Sequence, residues 1–226
     1  MSYDVTANAA THAAIVRAAG ARVVVFPELS LTGYELDAPA LAADDPRLLP
    51  IVQACADADA IALVGAPVHG DGGQRHIGML AIDGSGARVV YRKMWLGGAE
   101  PNHFTAGSKP AVLEVDGWRL GLAICKDTGV PQHAADTAAL GIDAYVAGML
   151  EAAEDAAVPA ERARRVARDY GVWVAFSSFA GGTGGGYDRA AGGSAIWSAG
   201  GEAVSQAGTE PGELATGTLR GSSPGL

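Results

Sequence analysis

Arg22-Val23-Val24-Val25-Phe26-Pro27-Glu28 is the stretch whose reading decides the fold. A short, uninterrupted apolar run with no polar alternation marks a strand buried on both faces, as in an α/β sheet. Upstream, Asn8 to Ala19 reads as a helix with His12, Ile15, Val16 and Ala19 on one face, and Gly20 breaks it just before the run. Pro27 marks the strand's end and leaves Glu28 directly behind it.

The same alternation continues along the chain. Leu48 to Asp57 reads as a second helix, and Ala60 to Gly65 as the next strand, closed by Gly65 and Pro67. Ile77 to Ile82 and Arg88 to Lys93 form a hairpin about Asp83-Gly-Ser-Gly86, and Ala111 to Val115 with Trp118 to Cys125 form another about Asp116-Gly117. Pro131 to Leu140 and Ala160 to Tyr170 are expected to be helical, the latter with Pro159 near its first turn. Ala144 to Ala147 and Val172 to Ser177 are expected to be strands, and Ser194 to Ser198 with Glu202 to Gln206 a last hairpin about Gly200-Gly201. One domain over 1–220 and a disordered tail from Gly221 are expected.

The composition narrows the function classes. With 226 residues, 49% hydrophobic and 18% charged, the chain can bury a sizeable core. A net charge of -9 argues against binding to nucleic-acid phosphates, which requires clustered Lys and Arg. No apolar window reaches the ~18 residues that a membrane span needs, and the start has no signal-peptide pattern. Cys55 and Cys125 form no CxxC pair, so a cytoplasmic protein without a disulfide framework is expected. The five histidines, His12, His69, His76, His103 and His133, show no HxxxH or HxH spacing, and neither metal nor organic cofactor is expected. Gly181-Gly-Thr-Gly-Gly-Gly186 lacks both the GxGxxG spacing and the P-loop ending, and reads as a flexible surface loop.

Three strand ends carry groups that could do chemistry. Cys125 ends an apolar run and precedes a turn into a helix, where backbone N–H groups can receive an oxyanion and a nearby ammonium would favour thiolate. Taken alone, a buried structural cysteine is the better reading. Glu28 could remove the thiol proton if burial raises its pKa, and Lys93 could stabilise a tetrahedral oxyanion. Ligands of α/β sheets gather at the carboxyl ends of strands, and all three residues sit at such ends.

Phe26-Pro-Glu28-Leu-Ser-Leu-Thr-Gly-Tyr34, Tyr91-Arg-Lys93 and Gly121-Leu-Ala-Ile-Cys125-Lys-Asp127, in that order, resemble the nitrilase superfamily of carbon-nitrogen hydrolases, over about Asp4 to Ala215. The resemblance implies a four-layer αββα sandwich with Glu28, Lys93 and Cys125 in the catalytic positions. It maps a second, orienting glutamate onto Glu100. Family chains usually begin with a strand of the type Val-Ala-x-x-Gln before the region matching Asp4 to Ala10; this sequence starts after it, so either its start is late or the sheet lacks the usual first strand. Amidases and carbamoylases of the superfamily often carry Asp two residues after the cysteine, where nitrilases have Trp-Glu, so Lys126-Asp127 favours a small amide or N-carbamoyl compound over a nitrile. A homodimer or larger homo-oligomer is also implied.

Tyr34, Trp95, Met149 and Leu150 lie near a motif or strand end and are candidate pocket walls, and Lys126 could attract an anionic substrate group. The arginine-rich run Glu161 to Arg165 reads as structural. Two rival readings stand beside the amidase. One is a weak or inactive small-molecule-binding protein of the same fold; the other is a thiol hydrolase pairing Cys125 with His133, although eight residues across a turn into a helix place His133 at the surface.

Overall fold

The computed structural model describes residues 1–220; the tail expected from Gly221 lies outside them. Helix α1 spans Val5–Ala19 and starts earlier than the periodicity suggested, because the Asp4 carboxylate accepts the Ala7 N–H at 2.9 Å and caps the first turn. It is followed by β1 (Val23–Val25), α2 (Leu49–Ala58), β2 (Ile61–His69), β3 (Arg75–Asp83) and β4 (Gly86–Arg92). Then come β5 (Val112–Val115), β6 (Trp118–Ile124), α3 (Pro131–Ala138), β7 (Ala144–Met149), α4 (Val158–Tyr170) and β8 (Trp173–Ser178). Short strands β9 (Ala180–Gly181), β10 (Ala190–Ala191), β11 (Ala195–Trp197) and β12 (Ala203–Gln206) complete the order.

One sheet has the order β1-β2-β3-β4 and a second, six-stranded sheet the order β12-β11-β8-β7-β6-β5. Strands β6, β7 and β8 run parallel, and the remaining strands of that sheet pair antiparallel at its flanks. Three apolar clusters define four layers. Val16, Ile51, Val64 and Leu80 join α1 and α2 to the first sheet. Leu63, Met79, Leu122 and Val146 fill the space between the sheets, and Tyr145, Val166, Val174 and Trp197 seal α4 against the outer face of the second. This is the αββα sandwich that the resemblance implied.

Strand β2 runs past the expected stop at Gly65 and Pro67 as far as His69. Pro67 is tolerated because β1 ends at Val25, opposite Leu63; beyond it that flank of β2 is met by the Leu31 N–H on the Gly65 carbonyl at 3.1 Å and the Leu41 N–H on the Pro67 carbonyl at 2.8 Å, and neither asks Pro67 for a donor. Among the described residues β1 pairs with β2 alone. Cavities of about 320 and 720 Å³ border its other side, lined by Val24, Ser177 and Ser194 among others. Farther along, a β-bulge between Met79 and Leu80 pairs Tyr91 with Met79 and Val89 with Leu80. The extra residue resets the alternation of β4, and Tyr91 and Lys93 both turn into the interior.

Candidate active site

Glu28 follows β1 on a turn closed by Ser30 N–H to the Pro27 carbonyl and Thr32 N–H to the Leu29 carbonyl. The two sheets grip this turn through glycines. A Cβ on Gly148 of β7 would sit 2.6 Å from the Phe26 carbonyl oxygen and 3.0 Å from the Glu28 nitrogen, and one on Gly65 of β2 would meet Pro27 and Leu29. Gly148→Ala is therefore expected to lower stability by about 1–3 kcal/mol and to slow turnover by displacing Glu28. Thermal melting and a rate assay check this; an unchanged melting temperature would mean that the turn has room to move.

Lys93 leaves β4 with its N–H on the Ile77 carbonyl at 2.8 Å, and its side chain is 1% exposed. The ammonium donates to Glu28 Oε1 at 2.6 Å and to Glu100 Oε1 at 2.8 Å. Glu100 is saturated: Oε1 also accepts the Tyr34 hydroxyl at 2.8 Å, and Oε2 accepts the Gly97 N–H at 2.7 Å. Glu28 is not, for its Oε2 is buried without any hydrogen-bond partner. Burial pushes the Glu28 carboxyl up to about 8, in spite of Lys93. Burial alone would drive the lysine the other way, but the facing Glu28, followed by Cys125 and Glu100, raises it above its ordinary value and keeps it charged.

Cys125 opens a 3-10 turn, Cys125–Gly129, at the end of β6, and is half-buried. Its φ of 42° is left-handed, a conformation that costs a non-glycine residue about 1–3 kcal/mol. The Thr128 hydroxyl donates to the Cys125 carbonyl at 2.7 Å and the Arg165 guanidinium to the Thr128 carbonyl at 2.8 Å, so α4 braces the turn, in line with a structural role for the arginine-rich run. The expected thiolate is not favoured. Burial, and then Glu28, pushes the thiol up from its ordinary range despite Lys93, and the S–H donates to the Leu150 carbonyl at 3.2 Å. A buried carboxylate beside the sulfur outweighs the ammonium already paired with it.

Of the other expected site residues, Tyr34 is buried with its hydroxyl on Glu100, and Leu150 offers its carbonyl to the cysteine. Trp95 sets its ring edge-on to His133 at 5.5 Å, and its backbone N–H donates to Asp127 Oδ1 at 2.9 Å. Lys126 is exposed, its stem close to Gly97. Met149 packs in the outer cluster with Ala163 and Val166, on the opposite side of β7 from Leu150, which belongs to the cluster between the sheets. His133 is fully buried rather than superficial: one ring nitrogen contacts the Tyr91 hydroxyl at 2.9 Å and the other the Tyr145 hydroxyl at 2.7 Å. With both nitrogens engaged by tyrosines, the ring is not placed to serve Cys125.

Other residues near the site gave no clear sequence signal. Glu151 pairs with Arg162 at 2.5 Å, and burial pushes its carboxyl up. Tyr187 meets Tyr34 edge-to-face at 5.4 Å, carried there by the glycine-rich loop. That loop is not free: Thr183 Oγ1 and the Gly184 N–H both donate to the Gly33 carbonyl at 2.8 Å. A lone aromatic at the end of a glycine run was the available hint.

The chain is similar to known proteins in sequence and in fold. A curated protein of Pseudomonas protegens described as "Hydrolase in pqqF 5'region" is 32% identical over 140 residues, 58% of this chain. The match spans about half, 49%, of that relative's length. A cysteine-to-alanine mutant of the amidase from Nesterenkonia sp. AN1, in complex with butyramide, superposes with a TM-score of 0.82 at 25% identity, covering 95% of this chain and 87% of its own. A Saccharomyces cerevisiae member of branch 10 of the nitrilase superfamily shares the fold, with a TM-score of 0.81 at 20% identity over 92% of this chain and 82% of its own. The carbon-nitrogen hydrolase profile matches residues 1–223, from before the Glu28 turn to beyond the last strand, and the chain belongs to that family.

Proposed function

We propose that this carbon-nitrogen hydrolase cleaves the C–N bond of a small amide or N-carbamoyl compound through a thioester on Cys125. The observation that carries the reading is the unequal treatment of two buried carboxylates on one ammonium. Glu100 has both oxygens occupied and acts as an orienter; Glu28 keeps Oε2 buried and free of protein partners, open to accept a proton. In the first half-reaction the Cys125 proton passes to Glu28 Oε2 and the sulfur attacks the carbonyl carbon. The oxyanion develops beside the Lys93 ammonium, which Glu28 and Glu100 hold charged. The C–N bond then breaks, and the leaving nitrogen takes the proton from Glu28. In the second half-reaction Glu28 takes a proton from water, the hydroxide attacks the thioester, the C–S bond breaks to release the acid, and Glu28 returns the proton to the departing sulfur, restoring the thiol.

The butyramide complex of the Nesterenkonia amidase supports the choice of an amide, as does Asp127 after the cysteine. A cytoplasmic homo-oligomer belongs to the same proposal and rests on the family resemblance and the cysteine usage. The test is ammonia release from a panel of primary amides, N-carbamoyl amino acids and nitriles. Release from amides or carbamoyl compounds with the nitriles inert is expected; turnover of nitriles alone would overturn the substrate assignment.

A further inference from the structure

Two residues before Lys93 and two after Cys125 lie a tyrosine and an aspartate that the mechanism above does not use, Tyr91 and Asp127. Asp127 is completely buried. Its Oδ1 accepts the Trp95 N–H at 2.9 Å, from the segment that leaves Lys93. Oδ2 accepts the Ile124 N–H at 3.0 Å, from the residue before the nucleophile, and the Tyr91 hydroxyl at 2.8 Å. One carboxylate therefore ties the strand end that presents Lys93 to the strand end that presents Cys125. Because these ends belong to different sheets, no backbone ladder does this work.

Behind Asp127 the hydrogen bonds run in one direction. Burial raises the Asp127 carboxyl above its ordinary value, while the Trp95, Tyr91 and Ile124 hydrogen bonds favour its charged form; with Asp127 accepting in all three, Tyr91 spends its proton there and its oxygen accepts from His133 Nε2–H. His133 Nδ1 then accepts the Tyr145 hydroxyl at 2.7 Å. Burial lowers the His133 pKa, which suits this neutral tautomer. Tyr91, His133 and Tyr145 are at most 3% exposed, which shields these bonds from bulk solvent. From this geometry we infer that Asp127, aligned by the Tyr91–His133–Tyr145 chain, is a positioning residue that sets the separation of Lys93 from the Cys125 sulfur. The inference rests on Cys125 being the nucleophile.

The test uses fluoroacetamide, a weak electrophile, with labelling of Cys125 in the full chain followed by intact mass and peptide mapping. Tyr91→Phe deletes one hydroxyl and keeps the ring; Asp127→Asn keeps the size but turns one acceptor oxygen into a donor. The maximal labelling rate is expected to fall about tenfold in Tyr91→Phe and about a hundredfold in Asp127→Asn, with half-saturation within about twofold of wild type. A merely structural role would lower the melting temperature without changing the rate per folded molecule. Wild-type maximal rates in both variants would overturn the inference, and should Asp127→Asn fail to fold, Tyr91→Phe decides it on the same reading. A wild-type Cys125 that resists labelling is a separate failure, which removes the nucleophile and this inference together; unchanged variants beside a labelled wild type remove only the role of Asp127.

Discussion

Replacing Cys125 by alanine is expected to reduce amide turnover by about 10⁴-fold or more while leaving the fold intact. The side chain is small and half-buried, and its hydrogen bond is a single thiol contact to the Leu150 carbonyl, so its removal costs stability about 1 kcal/mol or less. No second thiol can stand in, because Cys55 is buried in the cluster between α1, α2 and the first sheet. Ammonia release at matched concentrations of folded protein measures the effect. Substantial turnover in Cys125→Ala would place the chemistry on another residue.

The next largest effect is expected at Glu28. In Glu28→Gln the amide oxygen still accepts from the Lys93 ammonium, and Glu100 still holds that ammonium in place. What disappears is the unpartnered oxygen able to take a proton. A loss of about 10²–10⁴-fold follows, the usual range for a general base. The pH dependence has a definite sign. The base acts when deprotonated, and burial pushes the Glu28 carboxyl up to about 8, so the wild-type acylation rate should climb as pH rises through that value. The variant should lack this limb. A Glu28→Gln enzyme with near wild-type rate and the same limb would assign the titration, and the base, to another group.

The local structure was largely legible in the sequence. Apolar runs located β1, β6 and β8, and Gly-containing turns located both central hairpins, because these features depend on neighbours in the chain. Tertiary partners decided the rest. Strand β2 passes through Pro67 only because β1 has already ended, and His133 is buried because Tyr91 and Tyr145 arrive from other strands to satisfy it. The same holds at the site. Glu28, Lys93 and Cys125 were recognisable as strand-end residues, but that Glu28 and Glu100 would share one ammonium depends on how two sheets stack. The thiol's protonated state was misread for a related reason: the ammonium was foreseen, while the desolvation and carboxylate that outweigh it became visible only with the packed site.

The central claim, a covalent acyl-enzyme on Cys125, is tested most directly by rapid acid quench during turnover of an amide found in the panel, followed by intact mass and peptide mapping. The mechanism predicts an acyl group on the peptide carrying Cys125, formed before the acid is released and absent from Cys55. An unmodified Cys125 throughout productive turnover would contradict it.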